Sequence, residues 1–372
     1  MIFSINIPVK IISGRSCLLN NSKEMILGSK AFIVTGKAGA KSSGALSDTI
    51  QVLKNYQISY AIFSEVEVNP PLLDAYEAGK IARESGADFV IGIGGGSAMD
   101  AAKAIAAYAA NPEIEPEDIF VPNNLTNGAL PIVLIPTTSG TGSEANPYSV
   151  LSLPDGEKKK TYSSNYSWAK VAFLDPAYTE SLNYSATVST ALDAFAHALE
   201  SYLSPKSTAL STMLAEYAAK NIWDVLTQMP DEFTPELRDM LCYASCAAGA
   251  AISITGTGFP HPLGYSLTML SGIPHGRACA VFHGDYIEYN MRTEEGAAKM
   301  NSLASVLGTT PRLMAEFLPG LADVNITLSN DQIKEYVELI KNAKNYTNSP
   351  YVLSEDEMIE IYKKHFARKR GR

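Results

Sequence analysis

One carboxylate and three imidazoles in this chain could close around a single divalent metal ion: Asp193, His197, His261 and His275. Asp193 and His197 are four residues apart in a helix-favouring stretch, which places both on one helical face. His261 and His275 are flanked by proline and glycine, which indicates element ends that can direct side chains into a cleft. By spacing alone, a local Asp–His hydrogen bond and two structural histidines explain the pattern equally well.

A glycine turn between an apolar run and an alanine-rich stretch could cradle a phosphate. Gly94, Gly95 and Gly96 allow backbone amides to approach an anion without Cβ interference. Ser97 can cap the helix that follows, and Asp100 completes a pattern like a capping box. The motif is neither the dinucleotide fingerprint nor a P-loop, and a tight turn without a ligand is the alternative.

A second apolar run, Leu130–Pro136, ends in a loop rich in hydroxyls and glycines. Thr137, Thr138, Thr141 and Ser143 offer the hydroxyls that a diphosphate or ribose needs. Two such loops at the carboxyl ends of neighbouring parallel strands would face one crevice, where open α/β sheets bind ligands. A polar surface loop is the alternative interpretation.

Together and in this order, these motifs resemble the iron-containing (group III) alcohol dehydrogenases, and the resemblance covers most of the chain. It implies an α/β Rossmann-like dinucleotide-binding domain followed by an all-α metal-binding domain, the dehydroquinate synthase-like architecture, with the active cleft between them. It also implies Asp193, His197, His261 and His275 as metal ligands, and a homodimer.

The length and pattern of the chain fit two domains. At 372 residues it exceeds what one hydrophobic core usually serves. Short apolar runs alternate with helical stretches in the first half. In the second half the apolar residues recur with the period of a helix, as between Ala209 and Leu226. We place the boundary near Leu174-Asp-Pro176, which predicts domains 1–176 and 177–372, and we expect Leu174 to contact the cofactor.

Charge and cysteine content limit the partners and the location. A net charge of -9 without a clustered basic face argues against nucleic acid, and the Arg368–Arg372 ending is interpreted as a solvated tail. The 4 cysteines show no CxxC spacing, which favours a reducing cytoplasm. The sequence contains no run of about 18 apolar residues, so we expect no membrane span. We also expect no export signal at the amino terminus.

The loop after the second strand unit bears on the choice of cofactor. Family members that prefer NAD resemble one another in carrying aspartate where this chain has Gly36. Without that carboxylate, a 2′-phosphate meets no repulsion, and Lys37, Lys41 and Ser42 add phosphate partners. We therefore predict NADP as the preferred cofactor, with NAD also accepted.

The two sites together predict an oxidoreductase. Hydride moves between the carbinol carbon of a small primary alcohol or diol and nicotinamide, while the metal holds the oxygen. The donor set alone suits iron, zinc, copper and nickel; the resemblance favours Fe(II), and zinc is the alternative. Tyr265 stands where many family members have a further histidine. Because tyrosine titrates near pH 10, a water chain or a hydroxyl of the cofactor ribose is an alternative route for release of the proton.

Three other functions fit parts of this pattern. A lyase or cyclase of the dehydroquinate synthase type would need several basic residues for its substrate, and only Lys206 and Arg277 are near the metal motifs in sequence. A glycerol-type polyol dehydrogenase would use zinc. A non-catalytic nucleotide-binding protein would not need all four metal ligands. We favour a small aldehyde or alcohol substrate, from butanal to 3-hydroxypropanal or lactaldehyde.

Overall fold

Six parallel strands form the main sheet of the computed structural model, which describes residues 3–367, and their order is β1-β8-β5-β4-β2-β3. The strands, including an antiparallel pair β6 and β7 outside that sheet, are β1 Lys10–Ser13, β2 Lys30–Gly36, β3 Ser59–Val66, β4 Phe89–Gly94, β5 Ile132–Pro136, β6 Ser149–Ser152, β7 Lys159–Tyr162 and β8 Val171–Leu174. Strands β4 and β5 are buried along their whole length because helices cover both faces of the sheet.

The helices of this half follow its strands, as expected for parallel β/α units. They are α1 Cys17–Asn20, α2 Gly39–Ser42, α3 Ala45–Asn55, α4 Leu72–Glu84 and α5 Gly96–Ala110, with 3-10 turns at Ser22–Met25, Pro116–Phe120, Ser143–Ala145 and Pro176–Thr179. Strands β4 and β5 pair in parallel with Gly94 opposite Pro136, so the two polar loops leave the sheet side by side.

After β8 the described chain is mainly helical. Its helices are α6 Tyr184–Leu203, α7 Ala209–Gln228, α8 Pro235–Thr255, α9 Pro260–Ser271, α10 His275–Ala280, α11 His283–Asn290, α12 Glu294–Leu307, α13 Pro311–Ala322, α14 Asn330–Ile340 and α15 Glu355–Phe366, with a 3-10 turn at Lys344–Asn348. Helix α7 lies where the helical period predicts it, but Met213 and Tyr217 within that period are exposed.

The two halves meet where the turn Ser143–Ala145 packs against α8. Gly142 has φ 55, and a Cβ there would lie 2.5 Å from the Ser245 carbonyl oxygen and 2.6 Å from Gly249 Cα. Two glycines thus allow backbone to touch backbone at this seam. The close contact fixes the threonine-containing loop relative to the helices.

The predicted fold class, a Rossmann-like α/β part followed by an all-α part, is confirmed. The Arg368–Arg372 ending lies outside the described residues. Within residues 3–367, no single helix is long and apolar enough to cross a membrane, although α8 and α9, bent by 113° at their junction, meet that criterion as a pair.

Candidate active site

Helix α6 positions the first two predicted metal ligands. It begins after Asn183, whose side chain accepts a hydrogen bond from the Ala186 amide, and it runs for 20 residues rich in alanine and leucine. Its middle is enclosed by neighbouring helices, so Asp193 and His197 are both buried. Their four-residue spacing places them one turn apart on the same side of the helix.

The other two histidines lie at helix beginnings, in agreement with the predicted element ends. His261 follows Pro260 in the first turn of α9, and His275 is the first residue of α10, directly after Pro274. Pro260 suits the first position of α9 because the first amides of a helix have no partner within it, and Pro274 is the N-cap residue of α10. Both imidazoles are thereby directed at α6.

The structure brings three of the predicted ligands into one tight group. Asp193 Oδ1 lies 3.9 Å from His261 Nε2 and 3.7 Å from His275 Nε2. Ligand atoms of these residues and of Cys279 all lie within 4.8 Å of one another. His197 lies outside this group of four, but its ring stacks on that of His261, with 4.7 Å between centroids.

Several atoms of the cluster are buried without a hydrogen-bond partner among the residues that the structure describes. They are Asp193 Oδ1, His197 Nδ1 and His261 Nε2. An unpartnered buried polar atom costs about 1–3 kcal/mol, so such atoms require an explanation. Two of them, Asp193 Oδ1 and His261 Nε2, face each other at 3.9 Å, which indicates a cation site.

Burial sets the protonation of the cluster. It lowers the pKa of His197 to about 4 and that of His275 to about 3, because an imidazolium is poorly solvated there. Burial opposes ionisation of Asp193 as well, but the surrounding histidines outweigh it and lower the pKa of that carboxyl group. At neutral pH Asp193 therefore presents an anionic oxygen, and His197 and His275 present neutral nitrogens, which are the forms that bind metals. Burial also opposes the charged form of His261, but the neighbouring Glu200 outweighs it and raises the pKa of that imidazole.

Three further residues of the site escaped the sequence interpretation. Glu200 is fully buried and contacts His261 Nδ1, and Cys279 Sγ lies 3.8 Å from His275 Nε2. Lys159, at the start of β7, has its Nζ 5.4 Å from the centre of the Tyr265 ring. A glutamate inside an apolar helix was a visible signal for Glu200. Lys159 lies in a run of three lysines, and nothing in the sequence distinguished it from its neighbours.

The basic residues considered from the sequence lie elsewhere. Lys206 is exposed, and Arg277 donates to the carbonyl oxygens of Leu321 and Ala322. Lys159 is the cation beside the cluster instead, and burial lowers its pKa to about 8. Sequence proximity was a poor guide because Lys159 reaches the site from the other half of the chain.

Tyr265 lies one turn after His261 on α9, and its ring stacks on His275 with 5.7 Å between centroids. Burial raises the pKa of its hydroxyl above the usual value for tyrosine. A phenol with a raised pKa holds its proton through the neutral range. The aromatic face, which covers one side of His275, is the part of Tyr265 that contacts the cluster.

The glycine turn packs against the neighbouring threonine loop. A Cβ on Gly95 would lie 3.2 Å from Thr138 Cγ2, and Gly96 approaches Thr141 still more closely. The Thr137 amide donates to the Gly94 carbonyl oxygen at 2.9 Å. The two loops therefore lie in contact at the carboxyl ends of adjacent strands, which is where open α/β sheets bind ligands.

The predicted capping of α5 is wrong. The helix begins at Gly96, Gly95 is its N-cap, and no side chain caps it. Ser97 lies within the first turn and accepts a hydrogen bond from the Asn69 amide at 3.2 Å. With a glycine as N-cap, the first amides of α5 have no competing side chain, which suits an anion-binding turn.

Asp100 forms no capping box and instead ties the threonine loop to α5. Its carboxylate accepts hydrogen bonds from Ser143 Oγ at 2.6 Å and from the Val150 amide at 2.9 Å. Lys103, fully buried one turn later, donates to Ser143 Oγ and to the carbonyl oxygens of Ser143 and Tyr148. Asp100 and Ser143 thus hold the loop that carries the other hydroxyls.

The loop after β2 lies at the same edge of the sheet. Gly36 ends β2, and Lys37 forms an exposed ion pair with Glu67 at 3.2 Å. Lys41 and Ser42 lie on the short helix α2, where the Ser42 hydroxyl donates to a backbone carbonyl. Lys41 is exposed and free to turn toward an anion.

Leu174 ends β8 and is buried in the seam between the halves with Ala145, Cys242, Cys246 and other apolar side chains.

A chain of contacts connects the glycine turn to the metal cluster. Asn69, with φ 57, donates its amide to Ser97 Oγ and accepts a hydrogen bond from Lys159 Nζ at 2.8 Å. Lys159 lies beside Tyr265, which covers His275. A continuous chain of contacts therefore links the glycine turn to the cation cluster.

Comparisons with known proteins agree with this geometry. The family model described as iron-containing alcohol dehydrogenase matches residues 8–176, and that of the C-terminal part of the same family matches residues 187–366. A sulfoacetaldehyde reductase of Bilophila wadsworthia is 35% identical over 73% of this chain and 72% of its own length. An NADPH-dependent butanol dehydrogenase of Clostridium saccharobutylicum is 29% identical over 96% of both chains.

Solved structures extend the comparison to three dimensions. An iron-containing alcohol dehydrogenase of Thermotoga maritima has a TM-score of 0.90 and 35% identity, covering 98% of this chain and 99% of that chain. A 1,3-propanediol oxidoreductase has a TM-score of 0.89 and 25% identity, covering 98% and 100% of the two chains. The chain belongs to the iron-containing alcohol dehydrogenase family, and the predicted metal-dependent, NAD(P)-linked oxidoreductase for alcohols and aldehydes is thereby confirmed as a class.

Proposed function

We propose that this protein reduces small aldehydes to primary alcohols with NADPH and catalyses the reverse oxidation. The observation that carries the proposal is the convergence of Asp193, His261 and His275 on one point. Contacts through Tyr265, Lys159 and Asn69 link this point to the glycine turn. Cells usually keep NADPH reduced, which favours aldehyde reduction as the working direction. The NADPH-dependent butanol dehydrogenase among the relatives supports both the cofactor and the substrate class.

The cluster fits a divalent cation, and Asp193, His197, His261 and His275 would hold it. Its buried atoms without partners among the described residues, together with the neutral histidines, supply the required donors. When bound, the cation polarises a carbonyl oxygen and stabilises the negative charge that develops there. Tyr265 shields His275 from water on one side through its aromatic face.

We propose Fe(II) as the metal, in keeping with the family. Zinc is the second candidate, because Cys279 Sγ belongs to the group of ligand atoms within 4.8 Å of one another and soft sulfur donors favour zinc. Imidazole and carboxylate donors accept either ion. Metal analysis of protein purified without oxygen separates the two.

The cofactor is proposed to lie along the edge of the sheet formed by β2, β4 and β5, with its nicotinamide, the hydride donor, directed at the cluster. We propose contacts from these loops and from the seam, at Gly36, Lys37, Lys41, Ser42, Gly94, Gly95, Gly96, Ser97, Asp100, Thr137, Thr138, Thr141, Ser143 and Leu174. Gly36 offers no carboxylate to repel a 2′-phosphate, which favours NADPH over NADH.

The substrate is proposed to be a short, uncharged aldehyde such as butanal or 3-hydroxypropanal. One observation favours a second candidate, an aldehyde that carries an anionic group. Lys159 places a cation beside the cluster, and the sulfoacetaldehyde reductase shares 35% identity with this chain. Lys159 already donates to Asn69, so an anion would compete for a partly occupied donor.

Further proposals concern the assembly, location and division of the chain. We propose domains at 1–176 and 177–372, because the last strand of the main sheet ends at Leu174 and α6 begins at Tyr184. A homodimer is proposed because the edge strand β1 pairs only with β8 among the described strands, and exposed Ile11 lies on it. Four free buried cysteines support a cytoplasmic location.

The deciding experiment is NADPH oxidation by anaerobically purified protein, metal-free and reloaded with Fe(II) or Zn(II). The panel contains butanal, 3-hydroxypropanal, lactaldehyde and sulfoacetaldehyde, with NADH run in parallel. We expect metal-dependent turnover of the uncharged aldehydes and a preference for NADPH. Turnover of sulfoacetaldehyde alone would select the anionic candidate, and binding of NADPH without turnover of any aldehyde would contradict the proposal.

A further inference from the structure

Glu200 is a buried carboxylate that the metal cluster does not require as a ligand. It follows Asp193 by seven residues on α6, which is about two helical turns and keeps both on one side of the helix. It is 0% exposed. No lysine or arginine forms an ion pair with it within residues 3–367, so its surroundings differ from those of an ordinary buried salt bridge.

Two donors converge on this carboxylate. Both oxygens lie 2.8 Å from His261 Nδ1, and Oε2 also accepts the Gly258 amide at 2.5 Å. Gly258 has no room for a side chain, since a Cβ would lie 2.7 Å from Tyr286 Oη and 2.9 Å from Ser349 Oγ. The segment before α9 is thus locked against the carboxylate that it binds.

This arrangement determines what the far side of His261 presents. Because a carboxylate only accepts, Nδ1 carries a hydrogen, and in the neutral ring that can bind a metal the lone pair lies on Nε2. Nε2 is the atom that faces Asp193 Oδ1, and it has no partner among the described residues. A carboxylate behind a metal-binding imidazole fixes its tautomer and orientation and raises its basicity.

We propose that Glu200 is a positioning residue that selects the Nδ1–H tautomer of His261 and aims its Nε2 at the metal. The inference rests on the proposed ligand set and adds a residue that acts only through His261. Glu200→Gln is the informative variant, because it keeps the shape of the side chain and removes the charge that enforces the tautomer. Ser201→Ala is the matched control, since Ser201 is equally buried and bonds to Thr255 instead.

The first measurement is metal affinity of the full-length protein, by competition with a chelator for Co(II) and Zn(II), together with the visible spectrum of the Co(II) form. Loss of such a carboxylate partner typically weakens binding about 10–100-fold. We expect that loss and an altered Co(II) spectrum in Glu200→Gln, and neither in Ser201→Ala. Wild-type affinity and spectrum in Glu200→Gln would overturn the inference.

A second measurement does not depend on folding of the variant. Nitrogen-15 NMR of the metal-free wild-type protein, labelled at histidine, reports which ring nitrogen of His261 carries the hydrogen. At a pH high enough for the ring to be neutral, hydrogen on Nδ1 alone is expected, and an Nε2–H tautomer would overturn the inference. If His261→Ala and Asp193→Ala bind Co(II) as the wild type does, the proposed metal site fails instead, so the two failures are distinguishable.

Discussion

His261 is flanked by two carboxylates whose surroundings differ. Glu200 has hydrogen-bond partners at both oxygens on one side of the ring, whereas Asp193 Oδ1 faces the other side without a partner among residues 3–367. The first suits a carboxylate that orients a ligand, and the second suits a ligand itself. At the residue scale, the hydrogen bonding of each carboxylate therefore supports the proposed roles, which residue types alone leave open.

Tyr265 is predicted to act through its ring and not through its hydroxyl. Tyr265→Phe keeps the stacking on His275, so we expect kcat to stay within about three-fold, whereas Tyr265→Ala loses a contact worth about 0.5–1.5 kcal/mol and should lower kcat/KM by up to about ten-fold. Steady-state kinetics across pH 6–10 checks this. A large loss in Tyr265→Phe with a missing limb of the pH profile would show that the hydroxyl carries the proton.

Gly36 is predicted to set the cofactor preference. A Cβ there would lie 3.4 Å from the Val66 carbonyl oxygen, an ordinary contact, so Gly36→Asp should fold normally. Its carboxylate would repel a 2′-phosphate, and we expect the ratio of kcat/KM for NADPH over NADH to fall by about ten-fold or more. Gly36→Asn, of equal size and uncharged, is the control. An equal effect of both variants would mean that shape and not charge decides.

At the scale of elements, the site depends on how closely α10 approaches α6. Gly276 follows His275, and a Cβ at this glycine would overlap the Ser189 carbonyl oxygen and lie 2.9 Å from the Asp193 amide. Glycine is required here because backbone meets backbone. The close approach of α10 to α6 at Gly276 therefore sets the distance between His275 and Asp193.

Gly276→Ala is predicted to separate α10 from α6. We expect about 1–3 kcal/mol lower free energy of unfolding, from overpacking, and weaker metal binding because His275 moves away from Asp193. Denaturant unfolding and chelator competition measure the two effects. Gly320→Ala on α13, where a Cβ meets nothing within 4 Å, should leave both unchanged or slightly raise stability. Wild-type metal affinity in Gly276→Ala would contradict the prediction.

At the scale of the whole molecule, the seam between the halves encloses Glu144. This residue is 3% exposed on the turn Ser143–Ala145, which packs against α8. Burial raises the pKa of Glu144 from 4.5 to about 7. The unfolded chain therefore releases this proton at lower pH than the folded protein does. The contribution of Glu144 to the free energy of unfolding is highest while its carboxyl group is neutral in both states, below about pH 4.5, and it falls as the pH rises to about 7.

Glu144→Gln is predicted to remove this pH dependence. The difference in free energy of unfolding between Glu144→Gln and the wild type should grow between pH 4.5 and 7, because only the wild type loses this contribution. The variant should be more stable by about 2–3 kcal/mol at pH 8. Denaturant unfolding at several pH values measures the difference. Exposed Glu117→Gln in the same half should show no such trend. A difference between Glu144→Gln and wild type that is constant with pH would contradict the assigned cause.

The sequence by itself determined the fold class and the family, because both rest on local patterns. Apolar runs that alternate with helical stretches indicate parallel β/α units, and the four-residue spacing of Asp193 and His197 defines a shared helical face. The prolines and glycines around His261 and His275 likewise indicated element ends, and both residues lie at the start of a helix. Each of these inferences depends on neighbours within a few residues.

Only the tertiary structure decided which side chains meet across long stretches of chain. Lys159 reaches the cluster from β7, and Glu200 meets His261 at a separation of 61 residues. Ser97 bonds to Asn69 and does not cap its own helix, because packing supplied a donor from another loop. Such contacts arise from the packing of distant elements, and neither residue type nor local spacing records them.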